Sequence, residues 1–224
     1  MDLLRINADF DERIVLAADE PGWVQSPMPG VERRMLDRVG DEAAHATSVV
    51  RYAAGSRFSA HEHDGGEEFL VLDGVFSDEH GDYPAGTYVR NPPGSHHAPF
   101  SEQGCTIFVK LRQFAPGDDE HKVLRPTDLL FRPGLLDGLE VVPLHQFGGE
   151  QAALVRWRPG TAFRTHRHWG GEEILVLEGV FEDENGIYPA GSWIRSPHGS
   201  EHNPFSRAGC LLYVKTGHLP PKGG

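Results

Sequence analysis

Short runs rich in Val, Phe, Tyr and Thr recur along most of the chain, each broken after several residues by Gly or Pro, and no long stretch sustains a helical apolar period. This is the punctuation of antiparallel strands, whose inward positions recur every second residue. The pattern predicts strands at 47–52, 67–72, 74–78, 86–90 and 106–111. Glu79-His80-Gly81-Asp82 and Glu184-Asn185-Gly186 read as hairpin turns, where glycine takes positive φ without strain. Residues 31–39, preceded by Trp23, Pro27, Pro29 and Gly30, read as an opening strand or arm that packs on a barrel. An all-β unit of this kind closes as a sandwich or barrel.

The pattern occurs twice. Residues 55–110 lie over 160–215 without a gap, at the constant offset that takes His61 to His166 and His97 to His202, and more than half of the positions are identical. His-Glu-His-Asp-Gly-Gly-Glu-Glu at 61–68 answers to His-Arg-His-Trp-Gly-Gly-Glu-Glu at 166–173, and Tyr83-Pro84-Ala85-Gly86 to Tyr188-Pro189-Ala190-Gly191. Two long copies make two complete domains rather than a solenoid, whose units are shorter and more numerous. The expected organisation is a first domain at 1–113 carrying an N-terminal arm, a polar, turn-rich linker at 114–128, and a second domain at 129–224.

Composition narrows the partners. A formal charge of −12, with no run of Lys or Arg, argues against nucleic acid and against an anionic membrane surface. The opening residues carry acids and no signal-type apolar core, and no later stretch could span a bilayer, so a cytoplasmic protein is expected. Cys105 and Cys210, one in each half, form neither a disulfide framework nor a Cys-x-x-Cys pair; each heads an apolar run and reads as a reduced core residue. Exposed barrel edges make a homodimer a natural expectation.

The chemistry lies in the histidines. His61 and His63 are two apart, which in a strand puts both imidazoles on one face. Glu67 follows the flexible link Asp64-Gly65-Gly66, and His97 follows the rigid turn Pro92-Pro93-Gly94-Ser95-His96, so both can be delivered from neighbouring strands to the same ion. His166, His168, Glu172 and His202 repeat this at identical spacings. Glu68, Glu173 and His96 adjoin the proposed ligands, but spacing favours Glu67 and His97, since position 96 becomes Glu201 in the second copy. His45, His80, His121, His145, His198 and His218 have no partner at repeat spacing and read as surface residues, with only His198 near a site.

Gly55, His61, His63, Glu67 and Gly74, then Gly86, Pro92, Gly94 and His97, together with their second-copy equivalents, resemble the two signature motifs of the cupin superfamily. The segments His-x-His-x-Gly-Gly-Glu-Glu, Leu-Val-Leu-x-Gly-Val-Phe-x-Asp-Glu, Gly-x-Tyr-Pro-Ala-Gly and Pro-x-Gly-Ser-x-His are similar, more closely, to the cupin domain of ChrR-type anti-sigma factors. That resemblance implies two tandem jelly-roll barrels with the ligands in the barrel mouth. It also implies a zinc-binding regulatory or sensor protein, with a sigma factor or a small molecule as partner. In those factors an N-terminal helical zinc domain grips the sigma factor; this sequence shows no His-x-x-x-Cys-x-x-Cys element, and has a second cupin instead.

Three histidines and a carboxylate complete a tetrahedral zinc shell, the pattern of a structural or sensory site. With Fe, Mn or Ni in octahedral coordination the same ligands leave two positions for substrate and dioxygen, as in an Fe(II)-dependent dioxygenase acting on a β-diketone or aromatic diol. Arg90 and Arg195, alternating with Tyr88 and Trp193, could orient such a substrate or form outward salt bridges.

Overall fold

A computed structural model describes residues 3–221 and 223; Met1, Asp2, Lys222 and Gly224 lie outside the described residues. The chain divides into one unit of Met1–Ala8 with Pro21–Leu129 and a second of Asp9–Glu20 with Leu130–Gly224. Both are antiparallel β barrels. In the first, Arg5–Ile6, Val31–Val39, His45–Tyr52, Cys105–Leu111, Glu67–Asp78, Tyr88–Asn91 and Lys122–Leu124 lie side by side in that order. In the second the order is Arg132–Pro133, Leu139–Phe147, Glu150–Trp157, Cys210–Thr216, Glu172–Asp183, Trp193–Ser196 and Ile14–Leu16.

The last strand in each series explains where the unit boundaries fall. An uncovered sheet edge presents a row of unpaired N–H and C=O groups. In the first unit the segment read as linker covers that edge, with Leu124 opposite Tyr88. In the second unit the N-terminal arm does the same, with Leu16 opposite Trp193. Segments that read as connector and arm are therefore edge strands of the two barrels.

The strands expected at 67–72 and 74–78 are one 12-residue strand, Glu67–Asp78. Its first half pairs with Cys105–Leu111 and Tyr88–Asn91, and its second half with Gly81–Pro84. The strand turns from one pairing to the other at Gly74, whose φ is 71° and where a Cβ would stand 2.1 Å from the Gly104 carbonyl oxygen. Gly179 repeats the arrangement against Gly209 O at 2.1 Å. The hairpins close through Glu79-His80 and Glu184-Asn185, with Asp78 opposite Gly81 and Asp183 opposite Gly186.

Inward positions fill the barrels. Val50, Phe69, Val71, Phe76 and Ile107 are buried in the first core, and Trp157, Ile174, Val176, Phe181 and Leu212 in the second. Cys105 and Cys210 belong to these cores as free thiols, and burial pushes each up to about 11. No helix among the described residues is long and apolar enough to cross a membrane.

Candidate metal centres

Two-residue alternation and cross-strand register bring the histidines together. His61–His63 pairs with Ser95–His97 so that His97 stands directly opposite His61, while His63 shares the face of His61 two residues on. The three rings lie with centroids 4.8–5.1 Å apart. Glu67, at the start of the long strand, places Oε2 3.5 Å from His63 Nε2 and 3.6 Å from His97 Nε2. In the second unit His202 stands opposite His166, and Glu172 reaches His168 Nε2 at 3.6 Å and His202 Nε2 at 3.5 Å.

The outer ring nitrogens are held in place. His61 Nδ1 donates to Ser59 O at 2.9 Å and His166 Nδ1 to Arg164 O at 3.0 Å, since a carbonyl can only accept. His97 Nδ1 lies 3.2 Å from Asp78 Oδ2. Each of these contacts fixes the tautomer and leaves Nε2, with its lone pair, turned toward the other ligands. In the first unit Nε2 of His63 and of His97 are buried and have no hydrogen-bond partner. A buried polar atom without a partner is costly, and a metal ion is the partner that a cluster of imidazole lone pairs accepts. In the second unit His168 Nε2 and His202 Nε2 are 3.0 Å apart, close to the separation of two nitrogens bound to one ion at about 2.0–2.1 Å. Each histidine triad can hold a metal ion.

The electrostatics differ within each triad: although burial works to lower them, Asp78 and Asp183 raise His97 and His202 above the ordinary imidazole range, whereas the middle histidine is held down. Burial holds His63 below the ordinary imidazole range, although Glu67 pulls the other way. Burial and then the charges of His202 and His166 take His168 down to about 3, so both imidazoles are neutral near pH 7 and available as ligands. Burial lifts Glu172 to about 7 against the pull of His202, the mark of a carboxylate enclosed without enough positive charge. Burial alone would also raise Asp78 and Asp183, but hydrogen bonds from His97 and Tyr83 lower the first, and the approach of His202 to 3.9 Å, the Tyr188 hydrogen bond and the charge of Arg13 take the second down to about 2.

With this geometry in view, comparison with known proteins identifies the family. Residues 11–115 and 119–220 each match the ChrR cupin-like domain. The chain belongs to the ChrR cupin-like family. It is 38% identical over 72 residues to the anti-sigma-E factor ChrR of Cereibacter sphaeroides, a match that covers 31% of this chain. It spans only about a third of that curated relative, 34% of its length. Among solved structures it resembles a protein provisionally named a dioxygenase from Nostoc punctiforme, with a TM-score of 0.75 over 95% of this chain and 85% of the other at 14% identity. It also resembles the oxalate decarboxylase of Lactobacillus farciminis in its formate complex, with a TM-score of 0.64 over 93% and 86% of the two chains at 13% identity. Identities this low bear on the fold alone.

Within this ChrR-like pair the structure decides between the two readings of Arg90 and Arg195 and changes the reading of several histidines. Arg90 and Arg195 point away from the histidines, because they alternate with the inward residues of their strands. Arg90 is fully buried against the connector, 2.8 Å from Asp118 Oδ2 and 4.1 Å from the Phe114 ring centroid. Arg195 donates to Asp9 O at 2.7 Å and lies 4.5 Å from the Phe10 ring centroid. Both arginines anchor the covering segments and have no place at a metal-bound substrate. Glu68 and Glu173 share that outer face, Glu173 accepting from Trp193 Nε1 at 2.9 Å. The histidines read as surface residues also differ. His145 is buried, and His218 is enclosed with Nε2 3.2 Å from Glu173 Oε2, whereas His80 and His121 are exposed. His198 accepts from Gly170 N at 2.9 Å, which steadies the turn after His168.

Sequence reasoning missed the aspartates behind the ligands. Asp78 and Asp183 orient His97 and His202 and are held in turn by Tyr83 and Tyr188 at 3.1 and 2.7 Å. The signal was present, since Phe-x-Asp-Glu and the later tyrosine recur in both copies. Only the folded hairpin shows that they reach the histidines.

Proposed function

We propose that the chain is a metal-dependent regulatory protein of the anti-sigma-factor cupin type, with one zinc or other divalent transition metal in each domain. His61, His63, Glu67 and His97 would hold the first ion, and His166, His168, Glu172 and His202 the second. The observation that carries this reading is the pair of buried, unpartnered Nε2 atoms of His63 and His97 facing Glu67. Four protein ligands fill a tetrahedral zinc shell and suit a site that senses rather than turns over substrate. The regulatory role and the sigma-factor partner are supported by likeness to an anti-sigma-E factor.

Elemental analysis of the purified protein tests the metal. Close to two ions per chain are expected, and His61→Ala combined with His166→Ala should remove them. Near-full occupancy in the double variant would overturn the ligand assignment. Co-purification with an extracytoplasmic-function sigma factor tests the regulatory role, and no association with any sigma factor of the source cell would count against it.

A second reading, an Fe(II)-dependent dioxygenase, is favoured by one observation. A cavity of about 480 Å³ in the first domain is lined by His61, His63 and Glu67. That is ample room for a small molecule beside an ion. Dioxygen consumption by the iron-loaded form with a β-diketone or aromatic diol would decide for it.

A further inference from the structure

The cavity of the first domain is lined by two arginines at strand positions that are uncharged in the second domain. Reading across the sheet, Glu67 stands opposite Leu111, Leu111 opposite Ala46, and Ala46 opposite Arg38, so the metal-side carboxylate and an arginine occupy one cross-strand row. With strands about 4.8 Å apart, the row places their backbones roughly 14 Å from each other. Arg38 and Arg33 both line the cavity that His61, His63 and Glu67 also line, and much of the remaining wall is apolar, including Val31, Val50, Tyr52 and Ile107.

The two guanidiniums are incompletely neutralised. Arg38 is 2% exposed and donates to the main-chain carbonyls of Gly40 and Asp41, with no carboxylate among its hydrogen-bond acceptors in the described residues. Arg33 reaches both oxygens of Glu42 at 3.2 Å, long for a charge-assisted pair, and its Nε is buried without a partner. The Glu42 side chain is 68% exposed and free to swing into solvent. Holding a buried and a half-buried cation beside an apolar cavity is costly unless an anion meets them. Glu42 marks the position of a carboxylate on Arg33 and is weakly enough held to be exchanged.

The second domain offers the same row without the charge. Glu172 stands opposite Thr216, Thr216 opposite Gln151, and Gln151 opposite Gln146, which takes the place of Arg38. Val141, opposite Val155, takes the place of Arg33, which stands opposite Val50.

We infer that the two copies have diverged in task, and that the first domain alone receives a small amphipathic carboxylate. Its carboxylate displaces Glu42 from Arg33 and also faces Arg38, and its apolar body fills the cavity beside the metal ligands. This rests on the metal reading above in one respect, that the ligand lies next to an ion. It names the class of molecule a ligand-responsive regulator of this kind would detect.

Calorimetric titration of the zinc-loaded full chain with hexanoate, octanoate and decanoate tests the inference, with metal content measured on the same samples. At least one of the three should bind at one per chain, and octan-1-ol, which has no charge, should bind at least about tenfold more weakly than octanoate, the loss of one charge-assisted contact. Arg33→Gln should weaken carboxylate binding by at least about tenfold. Glu42→Gln should tighten it. Arg38→Met should act like Arg33→Gln, and if it fails to fold, Arg33→Gln and Glu42→Gln carry the test. Absence of binding across the three acids, two equivalent sites per chain, or unchanged affinity in Arg33→Gln would each overturn the inference while the metal assignment stands. Tight, Arg33-dependent binding by a protein that holds no metal would instead overturn the metal reading and leave the pocket in place.

Discussion

Arg13 Nη2 lies 3.0 Å from Asp183 Oδ2, and it also donates to Tyr188 OH at 2.8 Å. The same Asp183 oxygen is 3.9 Å from His202 Nδ1, whereas in the first domain Asp78 stands 3.2 Å from His97 Nδ1. The arm's cation thus competes with the histidine for the aspartate, and the two candidate metal centres differ in how firmly their third imidazole is oriented.

Replacement of the aspartates should expose that difference. Partners behind a metal ligand are worth about 10–100-fold in affinity. Asp78→Asn should fall toward the upper end of that range at the first centre, and Asp183→Asn toward the lower end at the second. Chelator competition followed by elemental analysis of each single-centre protein would measure both; equal losses would remove the distinction.

Metal removal should destabilise each barrel. An ion that binds only the folded state contributes about 4 kcal/mol when its free concentration is a thousandfold above Kd. Treatment with a strong chelator should therefore lower Tm by several degrees or more, and added zinc should restore it. A chelator-insensitive melting curve would argue that the triads are empty.

Gly74→Ala and Gly179→Ala should each cost roughly 2–4 kcal/mol, combining left-handed backbone strain with overpacking. The new Cβ would meet Gly104 O or Gly209 O at 2.1 Å. Urea denaturation of the two variants provides the check, and a loss under about 0.5 kcal/mol would mean that the strand bends elsewhere.

Arg90→Leu should destabilise the first barrel by roughly 3–5 kcal/mol, because it leaves Asp118 buried without the charge that faces it. Metal stoichiometry should not change, since Arg90 lies on the opposite face from the ligands. Loss of one ion per folded chain would refute that placement.

Cys105 and Cys210 should resist thiol reagents at neutral pH. Their thiols are pushed up to about 11, so the reactive thiolate is scarce until strongly alkaline conditions, and both are buried. Reaction with a chromogenic disulfide should appear only after unfolding.

Much of this was legible before folding. Strand runs such as 47–52 and 106–111 are rich in β-branched and aromatic residues between Gly- and Pro-bearing breaks, so class and repeat could be read locally. His61 and His63 had to share a face because side chains two apart in a strand point the same way. The two-residue strands at Ser56–Arg57 and Phe100–Ser101 left no trace, because a segment that short has no period to detect. The direction of Arg90 was open as well, since alternation tells which residues share a face but not which face turns inward.

By itself, the sequence determined the duplication, the all-β class and a set of three histidines and a glutamate in each half, because these follow from spacing along the chain. The tertiary structure decided which residues stand opposite one another across strands. Register set His97 against His61, placed Asp78 behind His97, gave the Ile14–Leu16 arm to the second barrel and put Arg38 on the row of Glu67. Such pairings join residues tens to nearly two hundred positions apart, and they are fixed by hydrogen bonding between strands and burial of one face, which no local pattern encodes.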